Sequence, residues 1–418
     1  MKIKVPKISQ VTNNFLIAVK LAVMYTSLFI LLFFDSAFCP ANNFPGTLKL
    51  VINISAVIGL AVTTTIVLKI KKRLLFLLLL YVFTMLLSGL LFSNLKQTLI
   101  LIICITMGFT VANFVRYSRF KRIYRNFMLF LAIFSLVTFA VSFLFPSLIS
   151  ALPIAKNDTL TYRNAIFSVI ATNDLSIRNY GFFWEPGAFA IFLNIALLFE
   201  MTDKSQNIVR LLIFAVAIVT TLSTLGIICL AILIAVYVFN NSYNVQNYKR
   251  NRTILISISL IAVAFVLLRE NNFIYNVFGK LKPSESGKIN FSTQSRINAV
   301  IYPFKDFLSS PIIGVGYNQY MKTSTEYCND MATCTFINWI SIYGIFGLPL
   351  IYGCIKFFLR HGRTVISKVG LLMFSLLLFS TENFLLIGFV YIFVFYGFSK
   401  TDRNLSNTLS APQETRKI

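Results

Sequence analysis

The sequence predicts an all-α polytopic membrane protein of about twelve transmembrane helices with two large loops on the outer side. Three observations predict it. Of 418 residues, 57% are hydrophobic and only 12% are charged, with a mean hydropathy of +0.77; soluble domains carry about 25% charged residues. Apolar runs recur at roughly 17–22 residues, long enough to cross a hydrocarbon core of about 30 Å. A bilayer admits only helices or closed barrels, and these runs are too long and too evenly apolar for barrel strands. The third observation is how charge divides between the runs.

The runs fall at 14–34, 48–68, 74–92, 98–115, 127–145, 186–201, 208–222, 225–240, 253–268, 336–355, 369–380 and 383–399. With the N-terminus inside, 26 of the 38 lysines and arginines are cytoplasmic and ten of the 14 acids lie outside, so the net charge is +22 inside against +2 outside. That is the positive-inside rule obtained with a single orientation. The formal charge of +24 is therefore a topological signal with some attraction for anionic lipid, and nucleic acid is not an expected partner. The first run is too long for the apolar region of a signal peptide, and no small-residue cleavage site follows it, so it reads as a retained anchor.

The organisation expected is membrane helices 1–5 within 1–145, a first outer loop at 146–185, helices 6–9 within 186–268, a second outer loop at 269–335, helices 10–12 within 336–400 and a polar cytoplasmic tail at 401–418. Loops of this length between membrane helices are uncommon unless they have a function.

Cysteines and the single histidine exclude some chemistry. Cys104, Cys229 and Cys354 fall within helices, whereas Cys39, Cys328 and Cys334 lie outside. Cys328 and Cys334 share one loop and either pair in an oxidising compartment or remain free thiols. His361 sits in a basic cytoplasmic turn, so the outer face holds no Ser/His/Asp triad. Its acids are scattered, and no metal or other cofactor is expected.

The first outer loop ends in Arg178-Asn179-Tyr180-Gly181-Phe182-Phe183-Trp184-Glu185-Pro186-Gly187. Pro186 suits the first turn of a helix. Glu185 would then stand at a helix N-terminus, where the macrodipole favours its ionised form, and Trp184 with its two Phe neighbours suits an interfacial belt. A capped, belt-anchored helix start accounts for this cluster; so does a site, because Arg178 lies just before Glu185 at headgroup depth.

In the second loop Arg296 precedes Ile297, Val300, Ile301, Phe304, Phe307 and Leu308, one apolar face of a helix lying on the membrane. Pro303 predicts a kink there or two short helices. Gly314-Val315-Gly316 follows Pro311. A lone GxG after no strand, on the outer face, does not make a dinucleotide site. Ionisable residues are nearly absent from the bilayer: Lys20 can snorkel to the inner face, and Glu382 lies between the last two helices. A coupled transporter would place charge at the midplane. What the outer face offers is arginine, carboxylate and aromatic surface. Arginine forks match phosphate oxygens, aromatics pack on sugars and prenyl chains, and a carboxylate accepts a proton from an alcohol. That set suits glycosyl transfer from a lipid-linked pyrophosphate sugar.

The stretch from Arg178 through Gly181 to Glu185-Pro186-Gly187-Ala188-Phe189 resembles a signature of the Wzy-type O-antigen and capsule polymerases. Arg296, followed by Pro311-Ile312-Ile313-Gly314-Val315-Gly316, Asn318 and Tyr320, resembles the second signature of the O-antigen ligase and polymerase superfamily, and Asn338 through Gly347 resembles the helix that follows it. These stretches cover about a quarter of the chain. The resemblance implies a GT-C-like membrane fold, a site on the periplasmic face of the bacterial inner membrane and both termini in the cytoplasm. It implies that undecaprenyl-pyrophosphate-linked repeat units are the substrates, with a chain-length regulator as a further partner. Carried onto this chain, it makes Arg178 and Arg296 essential. Glu185 is expected to join them, either orienting an arginine or activating the acceptor, with Glu382 as a second candidate for the base; Arg163, Trp184, Gly314, Gly316, Asn318, Tyr320 and Glu382 are expected to bind substrate. The chain departs from the R-x10-G pattern of some polymerases: Asp174 and Phe307 stand where glycine would follow Arg163 and Arg296. Ligases of the superfamily carry a functional histidine in the large periplasmic loop, which favours polymerase here. A ligase, a lipid-linked glycan flippase and a non-catalytic lipid-binding scaffold are the rival readings.

Overall fold

A computed structural model describes residues 8–65, 70–156, 161–171, 178–203, 205–241, 291–328 and 332–399. The helix expected at 253–268, Asp174, and the loop cations Arg269, Lys280, Lys282 and Lys288 lie outside the described residues.

The chain is mostly helical, and six helical stretches are long and apolar enough to cross a membrane. Five open the chain: α1 (Ile8–Phe33), α3 (Gly46–Thr65), α4 (Lys72–Leu91), α5 (Leu95–Phe114) and α6 (Tyr117–Leu144), with the short α2 (Phe38–Asn43) between the first two. Helices of this length reach about 30 Å. Their outward faces are apolar; α4 presents Phe76, Leu79, Phe83 and Leu90, as a lipid-facing helix must. Then come α7 (Pro146–Ser150) and three shorter apolar helices, α8 (Pro186–Met201), α9 (Ile208–Thr220) and α10 (Thr224–Asn241).

Within the second loop lie α11 (Phe291–Ser309) and α12 (Gly316–Cys328). The sixth long stretch, Thr335–Leu359, is α13 (Thr335–Tyr343) and α14 (Leu348–Leu359) joined by a 3-10 turn at Gly344–Gly347. The last helices are α15 (Val365–Leu378) and α16 (Gly388–Phe398).

Two helices form the centre. Nearly every residue of α8 and α16 is buried, and both are apolar all round, as enclosed helices are. Phe192 of α8 stacks on Phe389 of α16 at 4.3 Å. Small residues let backbones approach: a Cβ on Gly108 of α5 would lie 2.5 Å from the Tyr391 carbonyl carbon, the close contact that glycine provides between membrane helices.

Three local departures from the sequence reading have physical causes. The run at 336–355 is broken, because Gly344 adopts φ +59° and the Ile345 N–H donates to the Pro311 carbonyl at 2.8 Å. Pro303 does not divide its segment: α11 continues through it, held by the Asn298 amide donating to the Tyr327 carbonyl of α12 at 2.7 Å and by Tyr302 stacked on Tyr327 at 3.8 Å. Its apolar stripe of Ile297, Val300, Ile301, Phe304 and Leu308 faces outward. The first loop is not wholly irregular. Ile154–Lys156, Thr161–Asn164 and Val169–Ala171 form β1, β2 and β3 of an antiparallel sheet, in which Tyr162 pairs with Ala155 and Ala171 and packs on Phe38.

The cytoplasm-assigned end of the bundle is closed by buried polar contacts. Arg125 of α6 pairs with Glu200 at 3.1 Å, although the approach is poorly aligned for a hydrogen bond, and with Asp203. Arg360 donates to the carbonyls of Gly397 and Ser399 at 2.6 and 2.7 Å, capping α16. His361 is not a surface residue as its basic turn suggests. It is buried, with Tyr117 donating to Nε2 at 2.6 Å and Nδ1–H donating to the Phe358 carbonyl at 3.1 Å. A carbonyl only accepts, so this tautomer alone satisfies both contacts. Burial, with Lys121 and Arg360 nearby, pushes its pKa down to about 3.

Candidate active site

At the other end of α8, about 24 Å away for its 16 residues, two carboxyls meet. Glu185 is the N-cap of α8, with extended backbone (φ −152°, ψ 161°), and its side chain makes no capping hydrogen bond. It turns instead to Glu382, in the connection between α15 and α16. A Cβ built on Gly187 would lie 3.0 Å from one Glu382 carboxylate oxygen and 3.1 Å from one of Glu185. Both oxygens thus converge on the face of the first helical turn left open by the missing side chain.

Glu382 is 7% exposed. Desolvation, then the neighbouring Glu185 charge and the hydrogen bond to it, hold the Glu382 carboxyl well above the usual carboxylate range; Arg296 and a hydrogen bond from Trp184 oppose this. Two carboxyls this close do not both ionise readily. Glu382 is therefore pushed toward its neutral form, hydrogen-bonded to Glu185. The pair stands at the positive end of a helix and within electrostatic reach of a guanidinium.

Separate contacts fix each member. The Thr335 hydroxyl at the start of α13 donates to the Glu382 carbonyl at 2.8 Å and accepts from the Phe384 N–H at 2.9 Å, while the Thr335 N–H donates to the Phe379 carbonyl. Asn383 donates to the buried Tyr320 hydroxyl at 3.3 Å. On the Glu185 side, Phe183 pairs across an isolated bridge with Ala37, and the Phe38 N–H donates to the Phe182 carbonyl. Trp184 leans edge-on toward Phe384.

The structure thus brings together Glu185, Glu382, Trp184 and Arg296, with Tyr320 one residue removed. Arg178 lies at the same end of α8 but on the turn between α9 and α10. Its Nε donates to the Thr221 carbonyl at 3.1 Å and its Nη2 to the Leu222 carbonyl at 3.5 Å, where the negative end of α9 favours a cation. Its Nη1 has no partner among the described residues. Arg163, in β2, donates to the Leu152 carbonyl at 2.9 Å.

The glycines of the GxG serve the backbone. Gly314 (φ +72°) presses on the Ile342 carbonyl, and Gly316 (φ +73°) on the Phe92 ring. Asn318 is exposed on α12 and donates to the Phe92 carbonyl at 3.4 Å. The sequence reading quoted Gly187 without giving it a role and did not single out Thr335 or Asn383. Gly187 directly after a helix-starting Glu-Pro was the only one carrying a local signal. Among the described residues no three His, Cys, Asp or Glu side chains come together.

The O-antigen ligase family model matches residues 209–352. The match covers about a third of the chain and supports the O-antigen ligase and polymerase superfamily without dividing the two activities. It includes Arg296, Gly314, Gly316, Asn318 and Tyr320; Arg163, Arg178, Trp184, Glu185 and Glu382 lie outside it. No curated protein and no solved structure matches the chain.

Proposed function

We propose that this protein is a membrane glycosyltransferase that joins undecaprenyl-pyrophosphate-linked repeat units into O-antigen or capsular polysaccharide, working at the outer face of the bacterial cytoplasmic membrane. The observation that carries the proposal is the hydrogen-bonded Glu185–Glu382 pair at the start of α8 with Arg296 beside it. The Glu185 carboxylate accepts the proton of the acceptor hydroxyl as that oxygen bonds to the donor's anomeric carbon. The bond from that carbon to the pyrophosphate oxygen breaks, and its electron pair leaves on the pyrophosphate. Arg296 and the Nη1 of Arg178, which has no partner among the described residues, offset the developing charge. Glu382, pushed toward its neutral form, keeps a second negative charge out of the site.

The second reading is a ligase, the activity after which the matching family is described. Against that reading, the only histidine of the chain is buried between Tyr117 and Phe358, at the far end of the bundle from the carboxyl pair. The test is purified protein in proteoliposomes given lipid-linked repeat units, with lipid A core added in a second arm. A ladder of lengthening lipid-linked products is expected. Transfer to core with no ladder would refute polymerisation.

A further inference from the structure

Next to Tyr320, whose hydroxyl contacts Asn383 beside Glu382, α12 lines a shallow groove of about 780 Å³ to which α5 contributes Gln97. We infer that this groove is a saccharide subsite that holds sugars of the glycan while its linkage end sits at Glu185 and Glu382. The inference rests on the glycan-transfer reading and adds where the chain lies.

Helical periodicity divides α12 into two faces. Tyr320, Thr323, Ser324 and Cys328 turn inward, while Asn318, Lys322, Thr325 and Glu326 are exposed toward the groove. Gln97 contributes from α5, and the buried Tyr317 ring lies at the groove's inner side. Tyr317 and Tyr320 are 6.0 Å apart, and the Tyr320 hydroxyl accepts from Asn383, next to Glu382. The groove therefore begins one ring away from the residue that touches the catalytic connection.

Its chemistry fits neutral sugar. The side chains of Gln97, Lys322 and Thr325 and the Tyr317 hydroxyl have no hydrogen-bond partner among the described residues, so donors and acceptors stand available along the wall. Lys322 and Glu326, one helical turn apart, balance in charge, unlike the arginine side of the site. An amide, a hydroxyl and an aromatic ring are what a polyhydroxylated ring engages through its oxygens and its apolar face. The volume lies within the roughly 300–1,000 Å³ of small-ligand sites.

The experiment uses full-length protein in nanodiscs and, as probe, lipid-free oligosaccharide released by mild acid from the host's own surface polysaccharide. Binding is read by saturation-transfer NMR and calorimetry. Gln97→Ala with Thr325→Ala changes two side chains that have no hydrogen-bond partner among the described residues, and Arg363→Ala at the opposite end is the control. The double variant is expected to bind at least about tenfold more weakly, with an unchanged melting temperature, and to release shorter polymer. No binding to the wild type, or wild-type affinity in the double variant, overturns the subsite. Elongation of lipid-linked units by the same wild-type sample is scored separately. Groove-dependent binding without elongation would leave the subsite standing and remove the polymerase reading.

Discussion

Gly187→Ala separates the geometry of the carboxyl pair from the stability of the fold. The new methyl would sit 3.0 Å from the Glu382 oxygen and 3.1 Å from the Glu185 oxygen, where ordinary contact begins at 3.4 Å. Both atoms end flexible side chains, so the carboxyls retreat by a few tenths of an ångström and the helix does not break. Gly187 lies in the first turn of α8, and alanine is the better helix former by about 1 kcal/mol. The melting temperature should therefore hold or rise slightly. Misplacing a reacting group by about 1 Å costs roughly 10²-fold in rate, so a shift of a few tenths should cost about three- to tenfold. The assay is initial elongation rate in proteoliposomes at matched protein, with thermal unfolding of the same preparation. A wild-type rate would show that the converging oxygens take no part in the reaction. Loss of folded protein would show that Gly187 serves packing.

Arg178→Ala and Arg296→Ala should each lower elongation by about 10²–10³-fold, as loss of one charge-stabilising donor does, with normal membrane levels by immunoblot. Arg178→Lys should recover only part of the rate, because an ammonium lacks the planar fork that reaches the Thr221 and Leu222 carbonyls while aiming a further N–H away from them. Arg125→Ala leaves Glu200, 1% exposed, with only the more distant Arg210 at 4.0 Å as a cationic partner and should cost up to about 3–5 kcal/mol of stability, read as a lower unfolding temperature in detergent. His361 titrates at about 3 when folded against an ordinary 6.5. The unfolded chain thus binds a proton that the native protein refuses. Stability from this group is complete above pH 6.5 and falls as pH drops from 6.5 to 3, by at most on the order of 5 kcal/mol. Subtracting the unfolding profile of His361→Phe from that of wild type should reveal this slope, and parallel profiles would refute it.

Eleven of the twelve predicted apolar runs coincide with helices in the described residues, because a run of Leu, Ile and Phe that long has one solution in lipid. Pro186 after Glu185 likewise announced the start of α8, since proline at a helix's first turn is a local rule. Other features depend on distant contacts and left little trace. The convergence of Glu185 and Glu382 joins positions almost two hundred residues apart, and neither flanking sequence encodes the other. The break at Gly344 exists because the Pro311 carbonyl waits for the Ile345 N–H. The strands from Ile154 to Ala171 are only three or four residues long, below the length at which alternation is readable. Arg163 and Arg178 were equally visible as outer arginines. Only their partners distinguish a side chain tied to Leu152 beside the small sheet from one held on the turn after α9.

The enclosed position of α16 bears on how the molecule is made. Residues 388–398 form the last described helix in chain order, yet they occupy the centre, against α5, α14 and the Phe192 face of α8. Synthesis runs from the N-terminus, so the helices around that slot reach the bilayer before its occupant exists. Until then lipid or an insertion factor must fill the place of α16, and Glu185 stands at its helix end without Glu382. A nascent chain arrested before residue 382 therefore carries half of the carboxyl pair and no finished site. Closure of the centre and assembly of the carboxyl pair therefore both wait for residues 382–398 to be made.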